Sequence, residues 1–310
     1  MVNERKAAIV GCGFVGAASA FALMQSGLFS ELVLLDASRE KAEGEALDIA
    51  HGMPFAKPME IYAGDYPDLA DASVIIVTAG AGQKPGETRL DLVKKNAAIF
   101  RTLIPGIARY NTEAILLIVS NPVDILTHLA AGVGAYPEER VFGTGTVLDT
   151  ARLKYLLGRH LSVDPRTVHA FIVGEHGDSE IVAWSSANVS GVPLHDFCEM
   201  RGYYEHGRAM REIAEQVKHS AYEIIEKKHA TYYGIAMSVR RICEAVVRDE
   251  KSILPVSAVR HGEFEGVSFS LPAIIGRSGV EREIPLRLDG QEREALLRSA
   301  DTLRGALRSL

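Results

Sequence analysis

The amino-acid sequence predicts an α/β protein: a doubly wound parallel sheet first, then a second, α+β half. Three observations carry this. Short β-branched runs alternate with longer helical patterns from residue 7 to about residue 143. A glycine-rich turn joins the first such run to the first helical pattern. After Thr144 the alternation gives way to long helical patterns and short alternating runs, which places the expected domain boundary between residues 144 and 145.

The strands predicted for the first half are Ala7–Val10, Leu32–Asp36, Ile61–Ala63, Val74–Thr78, Ile115–Val119 and Val141–Gly143. The continuous apolar runs among them suit strands buried on both faces of a parallel sheet. Helical patterns fall between most of them, at Val15–Ser26, Arg39–Ala50, Arg89–Tyr110 and Val123–Ala131. In the second half, Leu148–Leu161, Tyr203–Lys228 and Tyr233–Asp249 read as helices. His169–Gly174, Ile253–Val259 and Val267–Leu271 read as strands. Leu296, Ala300, Leu303, Leu307 and Leu310 follow three-to-four spacing, which predicts an amphipathic C-terminal helix. No Gly/Ser-rich linker separates the halves, so tight packing between them is expected.

Composition narrows the function classes. A 310-residue chain with 47% hydrophobic residues can bury a large core. The net charge of −6 is modest, and no block of like charge suggests a nucleic-acid or anionic-lipid partner. The longest apolar runs, such as Val74–Val77 and Ile115–Val119, are strand-sized, so no membrane span is expected. With only Met1–Lys6 before the first strand, no signal or transit segment is expected. Cys12, Cys198 and Cys243 are odd in number and widely spaced. Neither a C-x-x-C nor an H-E-x-x-H occurs, so no disulfide framework or metal site is expected. The expectation is a reduced, cytoplasmic protein.

Gly11-Cys12-Gly13-Phe14-Val15-Gly16 is a G-x-G-x-x-G turn in a specific context: a strand precedes it, a helix follows it, and Asp36 closes the next strand 20 residues past Gly16. Gly11 permits the tight turn, Gly13 lets the backbone approach a pyrophosphate at the helix N-terminus, and Gly16 allows close packing. Asp36 would accept hydrogen bonds from ribose hydroxyls and repel a 2′-phosphate. NAD is therefore favoured over NADP, with Arg39 nearby as the opposing consideration.

Four further segments bear on chemistry. Thr78–Arg89, TAGAGQKPGETR, is a strand end followed by a Gly/Pro-rich loop of the kind that closes over sites. Ser120–Asp124, SNPVD, lies at a strand C-terminus, where open α/β sheets bind ligands. In Leu148–Arg152, LDTAR, Asp149 and Arg152 share one helix face. In Gly174–Ser179, GEHGDS, His176 stands among glycines after an apolar strand. A lone histidine is usually a surface or satisfied residue; here an Asp, two Arg and an Asn accompany it.

With these motifs in this order, and ATYYGIA at Ala230–Ala236, the chain resembles the bacterial-type L-lactate dehydrogenases of the lactate/malate dehydrogenase family over nearly its whole length. The resemblance implies a Rossmann NAD-binding domain and a catalytic domain. It implies that His176 exchanges a proton with the substrate oxygen, that Asp149 holds its imidazole, and that Arg152 clamps the substrate carboxylate with a two-donor fork. Arg89 would polarise the C2 carbonyl, Asn121 would bond near the same oxygen, and Thr231 would line the far side of the substrate. Ile235 would press on the nicotinamide. Phe14, Val15, Val119 and Asn121 would join the glycines and Asp36 around the cofactor. The protein would be a homotetramer.

Gln83 is where this resemblance bears on substrate. Malate enzymes of the family typically carry Arg there, so a neutral amide predicts pyruvate and L-lactate, because a second substrate carboxylate would stay unpaired. The alternatives are a malate or branched L-2-hydroxyacid dehydrogenase and, from another class, a silent NAD-binding protein. Many bacterial relatives respond to fructose 1,6-bisphosphate through an Arg and a His. Lys154 and His169 stand at those positions, and Lys cannot grip phosphate with two parallel donors, so weak activation or none is expected.

Overall fold

The computed structural model describes residues 3–82 and 89–310. In the first half the chain runs β1 (Asn3–Val10), α1 (Phe14–Ser26), β2 (Glu31–Leu35), α2 (Arg39–Ala50), β3 (Glu60–Ala63), β4 (Ala72–Val77), α3 (Arg89–Ala108), β5 (Ile115–Ile118), α4 (Val123–Gly132) and β6 (Val141–Gly143). The strands stand in the order 6-5-4-1-2-3, all parallel. This is a doubly wound Rossmann sheet whose strand order reverses between β1 and β4, the place where such sheets bind ligands. The central strands are apolar because helices cover both faces: Ile9 and Ile76 bury themselves on one side, Ile75 and Leu116 on the other.

The second half contributes α5 (Val147–Leu161), β7 (Val168–His169), β8 (Ile172–Val173), β9 (Ile181–Val182), β10 (Asn188–Val189), β11 (Val192–Pro193), α6 (Leu194–Met200), α7 (His206–Lys228), α8 (Tyr233–Val247), β12 (Ser252–Val259), β13 (Ser268–Gly276), β14 (Gly279–Glu283) and α9 (Gly290–Arg308). Strands β12–β14 do not form a separate sheet. They extend the parallel one, β12 pairing antiparallel with β6 at Ser257 and Gly143. One nine-stranded sheet thus crosses from the first half into the second. The chain turns into α5 at that junction, where the Thr146 amide donates to Pro255 O and to Ser270 Oγ.

The expected strand His169–Gly174 is two strands in different sheets: β7 pairs with β10, and β8 pairs with β9. Val168 and Ala170–Val173 are apolar and only His169 interrupts them, so periodicity did not show the change of partner. Helix α6 and strands β9, β10, β11 and β14 were not expected; α6 is only seven residues long, β9 to β11 are two residues each, and β14, GVERE, is mostly polar and carries little apolar signal. At the C-terminus, Leu296, Ala300 and Leu303 bury one face of α9, with Leu307 and Leu310 packed at its end. Asp289 and Glu292 close the N-terminus of that helix as a capping box.

Candidate active site

Two hollows lie along the carboxyl edge of the parallel strands. The first, of about 760 Å³, is lined by Gly11, Gly13, Asp36, Thr78, Ala79 and Gly80, among others. Its floor is the turn between β1 and α1. Gly11 has φ +106°, and a Cβ there would meet the Ala79 amide nitrogen at 2.5 Å. A Cβ on Gly16 would fall 1.9 Å from Gly11 O, so only glycine lets α1 start this close to the strand end. Nothing lies within 4 Å of where a Gly13 Cβ would be, so the helix N-terminus opens onto free space. The Asp36 carboxylate is fixed by the amides of Cys12 at 2.6 Å and Ser38 at 3.0 Å, which hold it at the wall with lone pairs to spare. A glycine cradle at a helix N-terminus with an anchored carboxylate beyond it fits a dinucleotide: pyrophosphate at the helix, ribose hydroxyls at Asp36.

Phe14 is 71% exposed beside this hollow and stacks on Tyr232 with ring centroids 5.5 Å apart. Val15 is half-buried against the core, and Val119 is buried in it.

The second hollow, of about 270 Å³, brings together Leu92, Asn121, Asp149, Arg152, His176, Glu180 and Lys218, among others. Helix α5 delivers Asp149 and Arg152 one turn apart, and the loop between β8 and β9 delivers His176. His176 Nδ1 meets Asp149 Oδ2 at 2.6 Å, and Arg152 bonds the other oxygen, Oδ1, at 2.8 Å. Both oxygens of Asp149 are thus committed to cationic partners, the arrangement of an acid–base pair rather than of a cation site. Burial disfavours the charged imidazole, but the Asp149 charge and hydrogen bond outweigh it and raise the His176 pKa to about 9. Burial would likewise raise the Asp149 pKa, yet His176 and Arg152 hold it below the ordinary carboxylate range. With Nδ1 spent on Asp149, Nε2 remains for the cavity.

A residue to which the sequence reading gave no role holds this loop. Asp124, on the first turn of α4 and 2% exposed, accepts the His176 amide at 2.7 Å. Burial pushes its pKa up to about 6, against the pull of that amide and of the His176 charge. Glu180 was also missed: it lies just past GEHGDS, and an acidic residue beyond a loop motif carries no signal of burial. The only available hint for Asp124 was a carboxylate inside an otherwise apolar helix start.

The remaining expected residues are distributed as follows. Gln83 lies outside the described residues, as does the side chain of Arg89. Thr231 is half-buried between α7 and α8, and Ile235 packs against the core; neither lines either hollow. Lys154 is half-buried on α5, where burial lowers its pKa, and His169 is exposed on β7.

Residues 5–143 match the family model of the lactate/malate dehydrogenase NAD binding domain, and residues 146–309 match that of the family's alpha/beta C-terminal domain. The L-lactate dehydrogenase of Thermoanaerobacterium saccharolyticum is 51% identical over 98% of this chain and 99% of its own length. That of Acetivibrio thermocellus is 48% identical over 99% and 97%. Among solved structures, a lactate dehydrogenase from a Medee basin deep-sea metagenome library superposes with a TM-score of 0.95, at 43% identity over 100% of this chain and 99% of that one. The minor L-lactate dehydrogenase of Enterococcus mundtii gives 0.94, also at 43% identity, over 99% and 98%. A glycine cradle at the sheet's switch point, a histidine paired with a buried aspartate, and two family matches that together span nearly the whole chain lead to one conclusion: this protein belongs to the lactate/malate dehydrogenase family.

Proposed function

We propose that this protein is an NAD-dependent L-lactate dehydrogenase that interconverts pyruvate and L-lactate, with residues 1–144 binding the cofactor and 145–310 forming the catalytic domain. The observation that carries the reading is the His176–Asp149 pair facing a small cavity beside Arg152. Bound NADH supplies the hydride that reduces C2. The guanidinium of Arg152 keeps N–H donors beyond the one given to Asp149, and these take the substrate carboxylate. The imidazolium of His176 gives its Nε2 proton to the C2 oxygen as charge develops there, and Asp149 stabilises the ring in its charged form. Asn121 lines the same cavity, and on this reading its side-chain amide bonds that oxygen. Asp124 keeps the loop carrying His176 in register. Arg89, Gln83, Thr231 and Ile235 keep the roles that the family resemblance implies for them, as do Phe14, Val15 and Val119.

An initial-rate assay of NADH oxidation with pyruvate, oxaloacetate and 2-oxoisocaproate tests the reading. Pyruvate should show the highest kcat/KM, and NADH should outperform NADPH because Asp36 repels a 2′-phosphate. Preference for oxaloacetate or the branched acid would replace lactate with malate or a branched 2-hydroxy acid as the natural substrate.

The assembly we infer is a cytoplasmic homotetramer, as in the family the chain resembles. Among the described residues no helix is long and apolar enough to cross a membrane. Burial lowers the Lys154 pKa, and a lysine offers phosphate a single point of attachment. Titration with fructose 1,6-bisphosphate should therefore change the KM for pyruvate by less than about tenfold. A tenfold or larger drop at micromolar effector would show that Lys154 and His169 form a competent site.

A further inference from the structure

Glu180 is an acidic residue that the reaction described so far does not use. It is 6% exposed, lines the 270 Å³ cavity, and has no hydrogen-bond or ion-pair partner for its carboxyl group among the described residues. Its backbone is fixed, because the amide donates to Gly177 O at 3.1 Å. One of its oxygens, the His176 ring and an Asp149 oxygen lie within 4.8 Å of one another. A buried carboxylate without a donor, close to a second carboxylate, is poorly placed to carry charge.

We infer that Glu180 is a specificity-determining residue of this site, holding an uncharged carboxyl group when the substrate anion binds and excluding that anion when ionised.

The charges that face it make the case. Arg152 and Asp149 reach the cavity from α5, His176 and the exposed Asp178 from the loop before β9, and Lys218 and Tyr222 from α7. Among the described residues that line the cavity, with Glu180 neutral, the cations Arg152, Lys218 and imidazolium exceed the anions Asp149 and Asp178 by one, which favours one monocarboxylate. With Glu180 ionised, that excess is gone, and an entering carboxylate meets a further buried negative charge instead of a compensating one. A dicarboxylate is disfavoured in either state, so the residue adds to the monocarboxylate preference ascribed to Gln83. Burial raises the Glu180 pKa, as does Asp149, while His176, Lys218 and Arg152 oppose them; the balance leaves it at about 8. Substrate affinity should therefore begin to fall near pH 8, about one unit before His176 loses its proton.

This inference rests on the 2-oxo acid reading, and one set of measurements separates the two. The KM for pyruvate is measured from pH 7 to pH 9 in the wild type and in Glu180→Gln, which keeps the shape and removes the ionisation. The rise in KM over that interval should be about tenfold larger in the wild type, since Glu180 passes from mostly neutral to mostly ionised. Equal rises in the two proteins would overturn the role of Glu180. A second measurement needs only the wild-type protein: proton uptake when its NADH complex binds oxamate, an amide mimic of pyruvate, by calorimetry in buffers of differing ionisation enthalpy. At pH 8, Glu180 should contribute about half a proton per site and His176 about a tenth. Uptake of only about a tenth would also overturn it. Failure to turn over pyruvate or bind oxamate at any pH would instead remove the lactate dehydrogenase reading itself.

Discussion

His176→Asn should lower kcat for pyruvate reduction by about 10³–10⁴-fold while leaving NADH affinity unchanged. Asparagine fills similar space and still bonds, but it has no proton to give at neutral pH, so alkoxide character at C2 goes unrelieved. On the proposed reading NADH binds the other hollow, whose glycine cradle and Asp36 are not among the residues around His176. Fluorescence titration of NADH should therefore match the wild type. The pH dependence carries the same signature. Pyruvate needs the imidazolium, so the His176 contribution to its affinity is full below about pH 9 and is lost tenfold per unit above it. Lactate needs the neutral ring and should show the reverse. Near-normal kcat in the variant would remove His176 from the mechanism.

Gln83→Arg should shift the pyruvate-to-oxaloacetate preference by at least about 10³ in kcat/KM toward oxaloacetate. Gln83 lies outside the described residues, so this prediction comes from the sequence and from charge balance alone. An added guanidinium gives the second carboxylate of oxaloacetate a partner. Pyruvate, by contrast, faces an unpaired buried cation. Each mismatch costs roughly 2–5 kcal/mol, and the two act in the same direction. A shift smaller than tenfold would mean that residue 83 does not face the substrate, and the distinction between lactate and malate would then lose its charge-based argument.

Local patterns made the parallel sheet and its glycine turn legible in the sequence. β-branched runs and helical periodicity mark β2 to β6 within a residue or two, but only the apolar second half of β1, whose first four residues, Asn3–Lys6, are polar. The pairing of Asp149 with Arg152 was legible for the same reason, since an interval of three on a helix fixes a shared face. What stayed hidden depends on long-range partners. The junction of β12 with β6 joins residues more than a hundred positions apart, and nothing local to Ser257 or Gly143 encodes it. Asp124 looks like an ordinary helix-start acid until the His176 loop folds onto it. Glu180 follows a recognisable loop motif, but its burial is decided by α5 and α7, which come from distant parts of the chain.

The continuity of the nine-stranded sheet has a consequence for any attempt to isolate the cofactor-binding part. A polypeptide cut after residue 144 would keep β6 but lose β12, leaving a raw row of amide and carbonyl groups along what had been an interior strand. The same cut would strip Val239, Ile242 and Val246 of α8 from the core they share with Ile9, Leu23 and Ile76, baring apolar surface next to that new edge. Unprotected strand edges beside exposed hydrocarbon recruit other chains. The truncated piece should therefore aggregate rather than behave as a free-standing dinucleotide module, despite carrying every residue of the glycine cradle.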